Sequence, residues 1–194
     1  MAEKNLFLIQ WYGPFRSRQE LSEWESSNGS RFNLYLFQGK LPRKRTVNYY
    51  CGMTYSQDSV SKRLGNRNHH IHDYDGRPED LYIWIGCIAN RSRLTRKDVL
   101  LCENMLISEM VQMEIGESEK VNATSICPPT ENVYIINEWF NKDGIEHRPL
   151  SGIYAPNKVP DVISYYAPEQ LVYSAKRLRS KGKLKNCGSM AARN

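Results

Sequence analysis

The fold is decided by residues 33–72, NLYLFQGKLPRKRTVNYYCGMTYSQDSVSKRLGNRNHHIH. The first half mixes apolar, aromatic and polar residues at near-alternating spacing on both sides of a basic turn, which is typical of two short strands. A polar segment with Lys62 and Arg63 follows, and Ser56 or Asp58 is placed to cap it as a helix. These residues therefore predict a β-hairpin followed by a helix.

The composition predicts one domain with a polyanionic partner. The chain has 194 residues, is 40% hydrophobic and carries a net charge of +6, which attracts nucleic acid at long range. The five cysteines are odd in number and include no CxxC pair, so we expect reduced thiols in a cytoplasmic protein. No apolar run approaches the ~20 residues of a membrane span, and the N-terminus lacks the layout of a signal peptide. We expect no membrane partner.

A small β–α segment is predicted at the N-terminus. Residues 5–11 have strand character, and Gly13-Pro14 should close that strand. Residues 17–26 follow with helical spacing of their apolar side chains behind a possible cap at Ser17.

A strand and a helix are predicted after the decisive stretch. Residues 81–88 form a continuous apolar run, which favours a central strand covered on both faces. Residues 95–114 carry an apolar stripe of helical period behind a plausible Thr95 cap, and Glu103 lies beside that stripe. The expected fold is α/β (α+β), with a small core of a three-stranded antiparallel sheet flanked by helices.

The C-terminal third is predicted to hold a hairpin, a helix and a basic tail. Residues 132–140 and 146–154 resemble an antiparallel pair, and Pro168 fits the first turn of a helix that ends near Ser180. Three segments are therefore expected: an N-terminal extension over 1–30, a core over 31–130 and a C-terminal region over 131–194 that packs on the core and aids DNA binding.

The order of four residues within this pattern resembles the GIY-YIG nuclease family. Tyr35 ends a first tripeptide, Tyr50-Cys51-Gly52 provides a Tyr-x-Gly strand, Arg63 lies on the next helix, and Glu103 lies on a later helix. The resemblance covers about residues 32–113. The literal tripeptide Gly152-Ile153-Tyr154 also occurs, but no Tyr-x-Gly strand, arginine helix and glutamate follow it.

The resemblance implies a role for each of these residues. In the family the first tyrosine, here Tyr35, is usually the general base, and the second, here Tyr50, orients water or the phosphate. Arg63 offers fixed planar donors that match a phosphate. Glu103 suits a hard divalent ion, Mg²⁺ or Mn²⁺, because such an ion needs only one or two carboxylates. Tyr35 could act as a base if nearby cations lower its pKa from the usual ~10.

The histidines depart from the family pattern. Family members often carry a histidine one helical turn after the arginine, where this chain has Arg67. His69 or His70 could instead hydrogen-bond Tyr35 and help to take its proton. A zinc site that also uses His72 and Asp73 is disfavoured, because no cysteine lies near them in sequence.

Three groups of cations are candidates for contact with DNA phosphates. The first forms a basic loop between the two tyrosine strands, the second belongs to the arginine helix, and the third lies near the C-terminus. Their members are Lys40, Arg43, Lys44 and Arg45; Lys62 and Arg67; and Lys176, Arg177 and Arg179.

These features together imply a metal-dependent endonuclease, a hydrolase of DNA phosphodiester bonds, most similar to the small GIY-YIG type II restriction endonucleases. The expected partner is double-stranded DNA. A homodimer would suit this partner, since two-fold DNA suits a two-fold protein. Two alternatives stay open: a nucleic-acid-binding module with a nuclease-like core, and a structure-specific DNA or RNA nuclease.

Overall fold

A sheet of seven strands runs through the part of the chain that the computed structural model describes. The described residues are 5–29, 32–55, 59–112, 129–145, 159–168 and 171–175. The strands are β1 (Leu6–Phe15), β2 (Leu34–Lys40), β3 (Val47–Met53), β4 (Tyr82–Ile88), β5 (Val133–Phe140), β6 (Val162–Tyr166) and β7 (Leu171–Ala175). The α-helices are α1 (Arg18–Asn28), α2 (Val60–Leu64) and α3 (Arg96–Gln112), and short 3₁₀ turns cover His70–Tyr74 and Pro78–Asp80.

The strand order corrects the predicted three-stranded core. The order is β3-β2-β4-β1-β5-β6-β7, with β1 and β5 parallel and every other neighbouring pair antiparallel. The α+β class is confirmed, and β3, β2 and β4 are indeed adjacent and antiparallel. The sheet does not end there, however, because the other edge of β4 pairs with β1. Strands from all three predicted segments therefore share one sheet.

Strand β1 continues past the point where Gly13 and Pro14 were expected to close it. The register with β4 shifts by one residue, since Tyr12 pairs with Ile85 and Phe15 pairs with Ile83. A bulge of this kind accommodates proline, which cannot donate to the ladder. The pattern predicted the strand correctly, but the bulge let it extend to Phe15.

The predicted caps of the two longer helices are confirmed. The Ser17 hydroxyl accepts a hydrogen bond from the Glu20 N–H at 3.1 Å at the start of α1. At the start of α3, the Asp98 N–H donates to the Thr95 hydroxyl at 3.2 Å, and the Thr95 N–H donates to the Asp98 carboxylate at 2.9 Å. This reciprocal pair satisfies two backbone N–H groups at the start of the helix that have no partner within the helix.

The two faces of the sheet carry separate apolar clusters. On the face covered by α3, Cys51 and Trp84 pack in one cluster with Cys102. On the face covered by α1 and α2, Leu21 packs in a second cluster with Ile85. Cysteines 51, 87 and 102 are buried and form no disulfide bond, in line with the expected reduced thiols. Strand β4 contributes to both clusters and is buried along nearly its whole length, which confirms the expected central strand.

The C-terminal predictions are corrected in part. Strand β5 forms as predicted, but its described antiparallel partner is β6; residues 146–154 lie outside the described residues. Residues 171–175 form a strand paired with β6, not the helix expected from Pro168 to Ser180. Long-range pairing along β6 overrides a helical pattern in so short a segment.

Candidate active site

The two predicted tyrosines lie side by side on the α1–α2 face. Because Phe37 pairs with Tyr50 across β2 and β3, Tyr35 lies diagonally opposite Tyr50. Their rings are 6.1 Å apart and nearly parallel, at 16°. Tyr35 is 1% exposed, whereas Tyr50 is only partly buried. Of the two side chains, that of Tyr50 is therefore the one more open to solvent.

Gly52 explains the spacing of the Tyr-x-Gly motif. It pairs directly with Tyr35, and a Cβ atom at this position would overlap the Tyr35 ring and hydroxyl. Any larger residue would displace that tyrosine. The glycine is therefore required by close packing against the first tyrosine.

His69 is the histidine that reaches Tyr35. Its Nε2 lies 2.9 Å from the Tyr35 hydroxyl, and its Nδ1 accepts the Ile71 N–H at 3.1 Å. A neutral ring that accepts at Nδ1 carries its proton on Nε2, so His69 donates to Tyr35. Burial, reinforced by the charge of Arg63, lowers the pKa of His69 to about 4. His69 thus holds the Tyr35 oxygen and, in this tautomer, cannot take its proton as predicted.

His70 and His72 point to other partners. The His70 side chain is 55% exposed; its ring lies 5.7 Å from that of Tyr50, and its Nδ1 lies 3.6 Å from the Asp73 carboxylate. His72 lies 3.0 Å from the Asp75 carboxylate. The described residues contain no group of three or more His, Cys, Asp or Glu side chains placed to hold a metal ion.

Arg63 provides the positive charge of the site. It is exposed at the end of α2 and hydrogen-bonds the Tyr35 hydroxyl. Its charge also acts on Tyr50 and Glu103, where it lowers the pKa of each group. The guanidinium therefore lies close enough to both tyrosines and to the carboxylate to act on all three.

Glu103 lies on α3 and is the acidic member of the site. That helix packs against the edge strand β3, and the Glu103 carboxylate accepts the Met53 N–H at the end of the strand. Burial raises the pKa of Glu103 to about 7, while the Met53 hydrogen bond and Arg63 oppose the rise. Its charge acts on both Tyr35 and Tyr50. The structure thus brings Glu103 to the tyrosines around the edge of the sheet.

The pKa of Tyr35 moves opposite to the direction that a base would need. Burial raises the pKa of Tyr35 well above its usual value, and the charge of Arg63 does not offset the effect. Burial also raises the pKa of Tyr50, but a hydrogen bond from Tyr35 lowers it in part. Since His69 already donates to the Tyr35 oxygen, the Tyr35 proton is the one donated to Tyr50.

Glu25 on α1 holds the helix that carries Arg63. The Glu25 side chain is buried, and its two oxygens accept the Val60 and Ser61 N–H groups at 2.9 Å each. Ser59 adds the local cap of α2, in place of the predicted Ser56 or Asp58, which lie outside the described residues. Sequence reasoning missed Glu25. The available signal was its position four residues after the buried Leu21, on the same face of α1.

Arg18 on the same helix anchors the segment that carries His69. Its guanidinium contacts both Asp75 oxygens at 3.1 Å and lies 3.0 Å from the His72 ring. His72 in turn lies 3.0 Å from the Asn66 carbonyl oxygen. The N-terminal helix therefore supports both Arg63 and His69, a role that the sequence did not predict.

The predicted DNA-contacting cations are spread over the molecule. Lys40 pairs with Asp80 at 3.1 Å. Arg43, Lys44 and Arg45 are exposed in the loop between β2 and β3, at the opposite end of the hairpin from Tyr35. Lys40 lies five positions after Tyr35, about 17 Å along a strand, so this loop lies away from Tyr35. Two further candidates, Lys62 and Arg67, are exposed on and after α2, and Lys176, Arg177 and Arg179 lie outside the described residues.

Comparison with known proteins identifies no relative. No protein-family model matches this chain, and no curated protein or solved structure matches it either. Within the described part of the chain, no helix is long and apolar enough to cross a membrane.

Proposed function

We propose that this chain is a divalent-metal-dependent endonuclease that hydrolyses phosphodiester bonds of double-stranded DNA, in the manner of the small GIY-YIG type II restriction endonucleases. One observation carries the proposal. Five side chains singled out by sequence, from two strands, two helices and a loop, lie within electrostatic reach of one another near the edge strand β3: Tyr35, Tyr50, Arg63, His69 and Glu103.

We assign the role of general base to Tyr50. A base must touch the attacking water, and Tyr50 is partly exposed whereas Tyr35 is sealed in the core. The Tyr35 hydroxyl donates to Tyr50 and so stabilises a phenolate there, while His69 and Arg63 hold Tyr35 in place. This reverses the roles that the family resemblance implies. Because burial raises the pKa of Tyr50, the rate should rise with pH as the phenolate forms.

Arg63 and Glu103 would act on the phosphate. The exposed guanidinium of Arg63 matches the nonbridging oxygens and stabilises the charge that gathers on them. The buried carboxylate of Glu103 fits Mg²⁺ or Mn²⁺, because such an ion keeps most of its waters and needs only one or two carboxylates. When bound, the ion supplies Lewis-acid stabilisation of the phosphate and of the leaving oxygen.

A nucleic-acid-binding module that has lost catalysis is the second candidate. The raised pKa values of both tyrosines and the burial of Tyr35 favour it, because these features also suit aromatic side chains that only pack. A structure-specific DNA or RNA nuclease would use the same site on a different substrate.

Incubation with a supercoiled plasmid of mixed sequence tests these readings. The protein is supplied with Mg²⁺, Mn²⁺ or EDTA, next to branched DNA and structured RNA, and E103Q protein serves as the control for contaminating nuclease. Discrete metal-dependent fragments support a restriction-type enzyme. Cutting of the branched or RNA substrate alone supports the structure-specific nuclease. Binding with no cutting of any substrate overturns the nuclease in favour of the binding module.

Light scattering of the protein alone and on palindromic DNA measures whether it forms a homodimer.

A further inference from the structure

A pocket of about 670 Å³ opens at the end of the sheet beside the candidate site. This volume lies within the roughly 300–1,000 Å³ range of ligand pockets. Gln10 on β1, Asn33 before β2 and Cys87 on β4 line it, together with Tyr55 after β3 and the loop residues Arg91 and Ser92.

The strand register places the floor of this pocket next to Tyr35. Gln10 pairs with Cys87 across β1 and β4, and the Asn33 N–H donates to the carbonyl of the neighbouring Gly86 at 3.0 Å. Residues two apart on a strand share a face, so Asn33 lies on the same face as Tyr35. The two residues are about 7 Å apart along the strand. The part of the pocket lined by Asn33 and Cys87 therefore lies on the sheet face that carries Tyr35.

The pocket lining suits a nucleobase. The side-chain amide of Asn33 offers both donors and an acceptor, the pattern that base edges require. The Gln10 amide donates to Glu138 at 3.1 Å and keeps its oxygen as an acceptor, and Ser92 adds a hydroxyl. The Tyr55 ring is 41% exposed and presents an aromatic surface for stacking. Arg91 adds positive charge to the pocket.

We propose that this pocket binds the unpaired base of a nucleotide next to the phosphate held at the candidate site. The inference rests on the proposed function, because the phosphate bound near Arg63 and Glu103 sets the register of the strand. A base in a closed duplex cannot enter such a pocket, so the nucleotide must be extrahelical or single-stranded. The pocket would then select a base one step from the cut.

The test compares two labelled single strands of equal length and charge, one of mixed sequence and one made entirely of abasic sites. Binding is measured by fluorescence anisotropy in EDTA, so that no cleavage occurs. The parent protein should prefer the strand with bases by about tenfold, since stacking of one base supplies that much. Tyr55→Ala should abolish the preference while leaving affinity for the abasic strand unchanged, and Asn33→Ala should reduce it.

The matched control is Leu100→Ala, which removes a similarly exposed apolar side chain from α3 and should keep the full preference. Circular dichroism checks that the variants fold. The proposal is overturned if the parent shows no preference, if it binds neither strand, or if Tyr55→Ala retains the preference. Plasmid cleavage by the same preparations is scored separately, so the pocket can fail while the nuclease stands, and cleavage can be absent while the base preference is present.

Discussion

Two buried polar networks lie on this sheet, and they differ in where their hydrogen bonds end. In the indole–amide network, the Trp11 indole donates to Asn137 at 2.8 Å, and Asn137 donates to the Pro160 carbonyl at 2.8 Å. The Trp139 indole donates to Asp161 at 3.2 Å, next to a stacked Trp11 ring. Every one of these residues is buried. Each of these hydrogen bonds ends at a buried group of the described residues, as expected of a structural network.

The tyrosine–histidine network ends differently. His69 donates to the sealed Tyr35, but the chain of hydrogen bonds then runs to Tyr50, which is partly exposed. Charges of both signs adjoin it, from the exposed Arg63 and from Glu103, whose pKa is raised to about 7. Burial alone therefore does not separate a structural network from a functional one. The useful distinction is whether the network ends inside the protein or at a group that a ligand can reach.

The largest expected effect comes from changing a carboxylate to an amide in each network. Glu103→Gln should lower metal-dependent cleavage by at least about 1,000-fold, because it removes the anionic metal ligand and keeps the side-chain shape. Asp161→Asn should keep cleavage within about threefold, since an amide oxygen still accepts the Trp139 indole. Single-turnover cleavage at saturating enzyme measures both. More than a few per cent of parent activity in the Glu103 variant would exclude its role as metal ligand.

The second effect separates the two tyrosines. Tyr50→Phe should reduce single-turnover cleavage by about 100-fold, because it removes the base. Tyr35→Phe should cost about tenfold, since it removes only the donor that stabilises the Tyr50 phenolate. Tyr49→Phe, which alters the opposite face of the same strand, is the control. A larger loss in the Tyr35 variant would return the role of base to Tyr35.

The third effect concerns stability against pH in EDTA. The pKa of Glu103 is raised from 4.5 to about 7 on folding, so its stabilising contribution is full below pH 4.5 and is lost as pH rises through about 7. The free energy of unfolding of the Glu103→Gln variant should therefore exceed that of the parent by about 2–3 kcal/mol at pH 8. At pH 4.5 the two should nearly coincide. Urea unfolding at both pH values measures the difference, and a constant difference would mean that Glu103 is ionised throughout.

The fourth effect tests the indole–amide network. Asn137→Ala should lower the free energy of unfolding by about 2 kcal/mol, because it leaves the buried Trp11 N–H without its acceptor. Cleavage by the folded variant should not change. Urea denaturation and single-turnover cleavage of one preparation give both values. Loss of cleavage at unchanged stability would place Asn137 in a functional role and remove the contrast between the two networks.

The smallest expected effect concerns the support from α1. Glu25→Ala should reduce cleavage by about tenfold, since α2 loses two backbone acceptors and Arg63 shifts with it. Glu23→Ala, an exposed change on the same helix, should have no effect. A double-mutant cycle with Arg63→Ala distinguishes positioning from general destabilisation. The two losses should be markedly less than additive, and full additivity would show that Glu25 acts elsewhere.

The local features of the fold were predictable from the sequence alone. Alternation predicted the strands that carry Tyr35 and Tyr50, and hydroxyl residues before apolar stripes predicted the caps at Ser17 and Thr95. These signals involve residues a few positions apart, where backbone geometry settles which side chains share a face. The Tyr-x-Gly motif was visible in the sequence, but the reason for its glycine, which lies opposite the Tyr35 ring, appears only when β2 pairs with β3.

Long-range pairing and the local dielectric were decided only by the tertiary structure. The sheet extends beyond the three predicted strands because β4 pairs with β2 along one edge and with β1 along the other. Residues 171–175 form a strand because β6 pairs with them. The upward pKa shift of Tyr35 and the donor role of His69 follow from burial and from the Ile71 N–H. The sequence alone gives Glu25 the pattern of an exposed acid, and only the packing of α2 against α1 shows that its carboxylate accepts a backbone N–H of α2. Such properties depend on groups brought together from distant parts of the chain, and the order of residues along the chain does not contain them.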